Sequence, residues 1–227
     1  MAAVAGRKII VLGAGGNSLA IVDAIQAINA RSRRTAWRLA GFLDDLPQNQ
    51  GQRVMGVPVL GRIDDAARAG RGCVFINGIS SVASFRKIAA IVERTGMPAD
   101  RFESIVHPDA VVSKHATLGR GSAIMAGSVL CPESVVGNHV IMLQNSTLNH
   151  HSRLADHVTV SAGVTILGYV EVADSGFIGG GSSLAPFVKV GRGALVGMGS
   201  VVIRDVPAGK VVAGSPAKVL AKSQYTA

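Results

Sequence analysis

Val136-Gly-Asn-His-Val-Ile-Met142-Leu-Gln-Asn-Ser-Thr-Leu148-Asn-His-His-Ser-Arg-Leu154 carries an aliphatic residue at every sixth position and a small or β-branched one four places after each of them. A period of six is neither the two of a strand nor the 3.6 of a helix. Extended outward, the register runs from Val106, Val112 and Leu118 to Val190, Val196 and Val202 without an insertion. If about one residue in three were aliphatic by chance, seventeen in register would have a probability on the order of 10⁻⁸, so this part of the chain is a repeat. Glycine often follows the aliphatic residue directly, as at Gly119, Gly137, Gly179, Gly191 and Gly197. The expected unit is a short strand pointing one aliphatic side chain inward, then a corner where small residues and glycine relieve crowding. Coils stacked at the ~4.8 Å strand spacing bury an aliphatic column that no single hexad could bury alone.

The grammar changes near Ile105. Before it, Lys8-Ile-Ile-Val-Leu12 reads as a buried strand, 18–30 as a helix and 37–44 as a second strand. Val57-Pro-Val-Leu60, a helical stretch over 63–69 opened by two acids, the strand Cys73-Val-Phe-Ile-Asn77 and a helix over 84–95 follow. Strand and helix alternating at short spacing imply a parallel α/β sheet, and right-handed crossovers make it Rossmann-like. The expected domains are 1–104, Rossmann-like, and 105–227, the repeat with a C-terminal tail.

Composition narrows the function classes. The 227 residues are 48% apolar and 16% charged, without the run of about 18 apolar residues that a membrane span needs. The opening, with Arg7 and Lys8 before a short apolar run, lacks a signal-peptide core, so a cytoplasmic, membrane-free protein is expected. Cys73 and Cys131 stand alone, which excludes a disulfide framework and a zinc knuckle. The net charge of +9 raises nucleic acid, but the densest group, Arg31, Arg33, Arg34 and Arg38, is a short run and aromatics are only 4%, too few for base stacking. We expect a solvated helix end there, no nucleic acid, and a basic surface suited to small phosphorylated ligands.

Gly13, Gly15 and Gly16 lie between a strand and a helix, where backbone N–H groups and the helix dipole can hold phosphate. Ser18 replaces the last glycine of a dinucleotide fingerprint and no acid lies about 20 residues on, which argues against a nicotinamide cofactor. Asn77-Gly-Ile-Ser-Ser81 follows a buried strand and can add polar groups to the same crevice. Among six histidines, His150 and His151 stand together in Asn145-Ser-Thr-Leu-Asn-His-His-Ser152. Histidine suits a general base because its ordinary pKa is near 6.5.

The hexads, with the ending Val201-Val-Ile-Arg-Asp-Val-Pro-Ala-Gly-Lys-Val-Val-Ala-Gly-Ser-Pro-Ala-Lys218, resemble the hexapeptide-repeat acyltransferases, whose left-handed parallel β-helix uses three hexads per coil. Seventeen hexads then make between five and six coils. With Gly13-Ala-Gly-Gly-Asn-Ser18, Gly41-Phe-Leu-Asp-Asp45 and Val54-Met-Gly-Val-Pro-Val-Leu-Gly61, nearly the whole chain is similar to the bacterial sugar acetyltransferases grouped with sialic acid O-acetyltransferase. That group includes N-acetyltransferases of nucleotide-linked 4-amino-sugars. The resemblance implies acetyl-CoA as co-substrate, no metal, and a homotrimer with the donor site between chains. His150, second after Leu148, takes the place of the general base, with His151 next in line. The N–H of Gly168, one coil on, takes the thioester oxygen. Gly180 and Gly197 correspond to contacts of the pantetheine arm, and Lys218 to a phosphate contact. Gly13, Gly15 and Gly16 correspond to the nucleotide's phosphate site, and Asp44 and Asp45 to the site of its base.

Two departures stand out. Asn17-Ser18 replaces a His-Gly or His-Ala pair, and His151 stands where the family carries an acid that orients the base; either Asp156 or a backbone carbonyl is the expected substitute, or activity is altered. His139 and His157, one coil apart, are expected to be structural or at a subunit boundary. A sugar O-acetyltransferase and a non-catalytic scaffold remain alternatives. An amine acceptor is favoured because a free sialic acid would leave the glycine turn no phosphate to hold. The carbonic anhydrases of this fold resemble a pair of histidines five residues apart, which this chain lacks.

Overall fold

A computed structural model describes residues 6–32 and 35–221. Arg33 and Arg34 of the basic run, the opening residues 1–5 and the tail 222–227 lie outside the described residues. The chain begins with β1 (Arg7–Leu12), α1 (Gly16–Arg31) and β2 (Trp37–Leu43). It continues through β3 (Arg53–Val54), β4 (Val57–Gly61), α2 (Ala66–Ala69), β5 (Cys73–Asn77) and α3 (Ile88–Arg94). The sheet order is β3-β4-β2-β1-β5, parallel except for the β3–β4 hairpin. Met55 and Gly56, both at positive φ, form the two-residue turn whose twist suits a hairpin.

Ile9 to Leu12 on the central strand are fully buried, the continuous apolar run of a sheet covered on both faces. The helices expected over 63–69 and 84–95 form differently: each opens as a 3₁₀ turn, Ile63–Asp65 and Phe85–Lys87, before its α segment. In the first, the Asp65 carboxylate accepts the Arg62 N–H, which tightens the opening turn.

From Ile105 onward every hexad contributes a two-residue strand whose second residue is the aliphatic one, from Ile105–Val106 to Val201–Val202. From Ile105–Val106 to Ser183–Leu184, each strand pairs in parallel with the one eighteen residues on, as Thr147–Leu148 does with Thr165–Ile166. The result is a left-handed parallel β-helix of three sheets. The first face holds Thr147–Leu148 and its stack, the second Arg153–Leu154, the third Thr159–Val160. Leu148, Leu154, Val160 and Ile166 are almost wholly buried in one column, worth roughly 1.5–3 kcal/mol each.

The small residues do more than relieve crowding. Ser122, Ser146, Ser152 and Ser182 point inward and are fully buried. The Ser152 hydroxyl donates to the Leu167 carbonyl at 2.7 Å and accepts the Val170 N–H at 3.0 Å, stapling one coil to the next and satisfying a buried polar group. The corner strain sits at a different residue from the one expected. The third residue after the aliphatic one has positive φ in every hexad from Gly121 to Gly199, whether glycine or not. Gly119 is required for another reason: a Cβ there would lie 2.4 Å from the backbone of Gly137 in the next coil.

Helix α1 and the 3₁₀ turn at Phe85 bring the front half onto the third face. Ile105, Ala123 and Ile141 pack with Ile21, Val22 and Ile25 of α1, while Phe85 packs on Phe177. Arg31, expected as a solvated helix end, donates to the Pro108 carbonyl at 2.9 Å and pairs with Asp109. Among the described residues no helix is long and apolar enough to cross a membrane.

Candidate active site

The strand order reverses at β1, and the loops leaving β1, β2 and β5 meet at that point. They enclose a cavity of about 460 Å³ that includes Gly13, Gly15, Gly16, Asp44 and Asp45. Gly13 has φ +85° and a Cβ on it would strike Ile79 at 2.5 Å, whereas a Cβ on Gly15 or Gly16 would meet nothing. α1 starts at Gly16, at the cavity wall, with no side-chain cap and no acid in its first turn, so the N–H groups of Gly16, Asn17 and Ser18 have no partner among the described residues.

The two aspartates are already in use. Asp44, buried, accepts the Ala14 N–H and the Leu46 N–H, both at 2.7 Å, and so fastens the glycine turn. Asp45 accepts from Arg94 at 2.8 Å and from the Ile63 N–H at 3.1 Å. Partial burial pushes the Asp45 carboxyl up, but the hydrogen bonds from Arg94 and Ile63 and the charges of Arg94 and Arg62 outweigh it and hold it below its ordinary value. Asn77 likewise spends its side chain on Ile79, donating at 3.1 Å and accepting at 3.0 Å.

Asn17, which sequence reasoning noted only as a departure, lines the cavity and donates to the Ser80 carbonyl at 2.7 Å. Ser18 is fully buried beneath the turn, and its hydroxyl has no partner among the described residues. The Ser80 hydroxyl meets that of Thr159 at 2.5 Å, tying the cavity wall to the β-helix.

The second candidate region is the corner between the first and second faces. Leu148 turns into the core, Asn149, His150 and His151 round the corner with His151 at φ 59°, and Ser152 turns inward again. His150 is exposed. Its ring lies against Gly168 of the next coil: a Cβ on Gly168 would be 2.6 Å from Cε1 and 3.0 Å from Nε2. The Gly168 N–H makes no hydrogen bond among the described residues, while the next N–H, of Tyr169, donates to the His150 carbonyl at 3.2 Å. His150 Nδ1 and His151 Nδ1 are 3.2 Å apart. Tyr169 meets His150 edge-on and stacks on His151, and Phe187 stacks on Tyr169. The column was readable at a spacing of eighteen from His151, although sequence reasoning had not singled out Tyr169 or Phe187.

Asp156 is a correction. Its carboxylate accepts the Asn138 N–H at 2.7 Å at the corner between the second and third faces, so it does not orient His150. That same corner holds His139 and His157, stacked with centroids 5.4 Å apart, with Phe102 edge-on to His139. Burial, then the neighbouring His157, pushes the His139 pKa down to about 4, and burial lowers that of His157 against the opposing pull of Asp156 and Asp174.

Gly180 and Gly197 lie at the remaining corner, between the third and first faces. A Cβ on Gly197 would touch Ala213, the residue paired with Lys218 in the closing antiparallel ribbon. His150, His151 and Gly168 therefore form one group, and Gly197 and Lys218 a second at a different corner. Among the described residues no cluster of three or more His, Cys, Asp or Glu side chains is placed to hold a metal ion.

Residues 8–91 match the PglD N-terminal domain. A curated relative, UDP-N-acetylbacillosamine N-acetyltransferase of Bacillus subtilis (strain 168), is 30% identical over 121 residues, 53% of this chain; the match spans about half of that protein, 52%. The acetyltransferase domain of PglB from Neisseria gonorrhoeae FA1090, also solved with acetyl coenzyme A, is similar over 95% of this chain and 100% of its own at 28% identity, TM-score 0.80. Perosamine N-acetyltransferase from Caulobacter crescentus, a histidine-to-asparagine variant solved with CoA and GDP-perosamine, is similar over 97% of this chain and 99% of its own at 26% identity, TM-score 0.80. The resemblance read from the glycine turn and the hexads holds across both halves of the chain.

Proposed function

We propose that this protein is an acetyl-CoA-dependent N-acetyltransferase acting on the 4-amino group of a nucleotide-linked amino-deoxy sugar. The observation that carries the reading is the His150 ring lying over Gly168, a base and an uncommitted N–H brought together one coil apart. The neutral amine attacks the thioester carbonyl and forms the C–N bond as its proton passes to His150 Nε2. The oxyanion is held by the Gly168 N–H. As the tetrahedral centre collapses, the C–S bond breaks and the thiolate leaves with the proton from His150. The relatives named for nucleotide-sugar N-acetyltransferase activity support the acceptor class, and the uncapped N-terminus of α1 supports phosphates at Gly13, Gly15 and Gly16. Asp44 and Asp45 contribute by shaping that crevice, since their carboxylates are already bonded.

The protein divides its work between 1–104, which takes the nucleotide-sugar, and 105–227, which takes acetyl-CoA, in the cytoplasm where that co-substrate is made. It acts as a homotrimer, because the pantetheine contacts at Gly180 and Gly197 and the phosphate contact at Lys218 then come from the neighbouring copy to the His150 corner. The exposed Leu167, Tyr169, Phe187 and Met198 support burial against such a copy. Release of free CoA from acetyl-CoA, measured with a panel of nucleotide-linked 4-amino-sugars, tests the reading. Turnover with an amine acceptor is expected; turnover only with hydroxyl acceptors would make it an O-acetyltransferase, and none in a folded trimer would make it a scaffold.

A further inference from the structure

We propose that His151 is a positioning residue: it accepts the Nδ1 proton of His150 and so holds the tautomer in which His150 Nε2 is free to take a proton. This rests on the acetyl-transfer reading above. Two imidazole nitrogens 3.2 Å apart share one proton, so one ring donates and the other must present a lone pair. If His150 donates from Nδ1, its Nε2 is a base. The reverse assignment puts the proton on Nε2 and silences it. When Nε2 takes the amine proton, the His150 imidazolium must donate from Nδ1, and a neutral His151 nitrogen is already in place to accept that charge-assisted bond.

The surroundings fix His151 for this task. Tyr169, from the coil above, stacks on its ring with centroids 4.8 Å apart and planes within 19°, which sets the direction of Nδ1. From the coil below, the residue at the same corner position is Glu133, which makes no ion pair with either histidine among the described residues. Asp156 is bonded to Asn138 at another corner. The ring of His151 therefore does the orienting.

The repeat supplies its own controls. Phe187 and Glu133 occupy the same corner position two coils above and one below, at φ 66° and 61°, so the His151 backbone at φ 59° accommodates either side chain. His151→Phe keeps the stack on Tyr169 and removes the nitrogen. Steady-state kinetics should give a kcat lower by on the order of 10–100-fold, KM values for both substrates within about twofold, and an unchanged melting temperature. His151→Glu should recover most of kcat, with the acid limb of the pH profile moved to higher pH by up to about one unit. ¹⁵N spectra of histidine-labelled protein should show His150 protonated at Nδ1 in the wild type and a mixture of tautomers in His151→Phe. Wild-type kcat in His151→Phe, His151→Glu as impaired as His151→Phe, or a wild-type His150 protonated at Nε2 would each overturn the proposal. If the wild type transfers no acetyl group, the acetyltransferase reading falls instead, and the nitrogen spectra still decide the tautomer.

Discussion

Two histidine pairs occupy two corners of the same β-helix and meet opposite fates. His139 and His157 stack one coil apart, and His139, edge-on to Phe102 of the front half, is only 8% exposed. Burial lowers the pKa of both, that of His139 to about 4, and no partner among the described residues meets the His139 Nδ1. His150 and His151, neighbours in sequence, stand exposed at a corner that the front half leaves open among the described residues, with their Nδ1 atoms 3.2 Å apart. The repeat puts all four at corners through the same spacing. Which pair stays open to solvent is set by where the front half packs on the β-helix.

The sharpest way to break this contrast is to exchange activity between the pairs. His150→Ala should lower kcat/KM on the order of 10²–10⁴-fold, and His139→Phe should leave it within about twofold, both read by CoA release. Comparable losses from the two would erase the distinction between working and buried histidines. The next effect is on stability against pH. His139 takes a proton near its ordinary pKa of 6.5 when unfolded but only near 4 when folded, so the unfolded state binds more protons between those values. Stability should be fully present above about pH 6.5 and fall by on the order of 3 kcal/mol as pH drops to about 4. Urea titrations across that range should show the slope in the wild type and lose most of it in His139→Phe; a slope surviving the substitution would place the titration elsewhere.

Two smaller effects sharpen the comparison. Gly168→Ala puts a Cβ where the His150 ring now lies, and that ring, the far end of an exposed side chain, can swing away. CoA release should fall about 10–100-fold while the melting temperature barely moves, because the loss is one of alignment. A large fall in melting temperature would mean the glycine serves the coil and not the base. At pH 8, His139→Phe should be neutral or stabilising by up to about 1 kcal/mol in urea, since it removes a buried nitrogen without a partner. A destabilisation above 2 kcal/mol would reveal a partner that the nitrogen needs.

The candidate site was legible in the sequence to different depths. His150 against Gly168 was readable because a coil is eighteen residues, and residues eighteen apart must stack. The glycine turn was readable because Gly13 and Gly16 flank a buried strand and a helix start. Asp44 and Asp45 reach the crevice, but the sequence could not reveal that the turn's own N–H groups and Arg94 already occupy them. Asp156 was misplaced because nearness in sequence to His150 does not make them neighbours across a corner. Six positions lead from one corner to the next, so His150 and Asp156 hold the same place at successive corners.

The sequence by itself determined the architecture: a six-residue aliphatic period has no other way to bury its stripe than by coiling, and β1 with its glycine turn admits little but a parallel sheet. It determined the corners too, since each follows the aliphatic residue at a fixed offset. Only the tertiary structure decided which corner is covered, which carboxylates are spent, and that His150 and Gly197 lie apart within one chain. The physical reason is that a repeat fixes local geometry by spacing alone, whereas exposure and bonding depend on what packs against it from elsewhere in the chain.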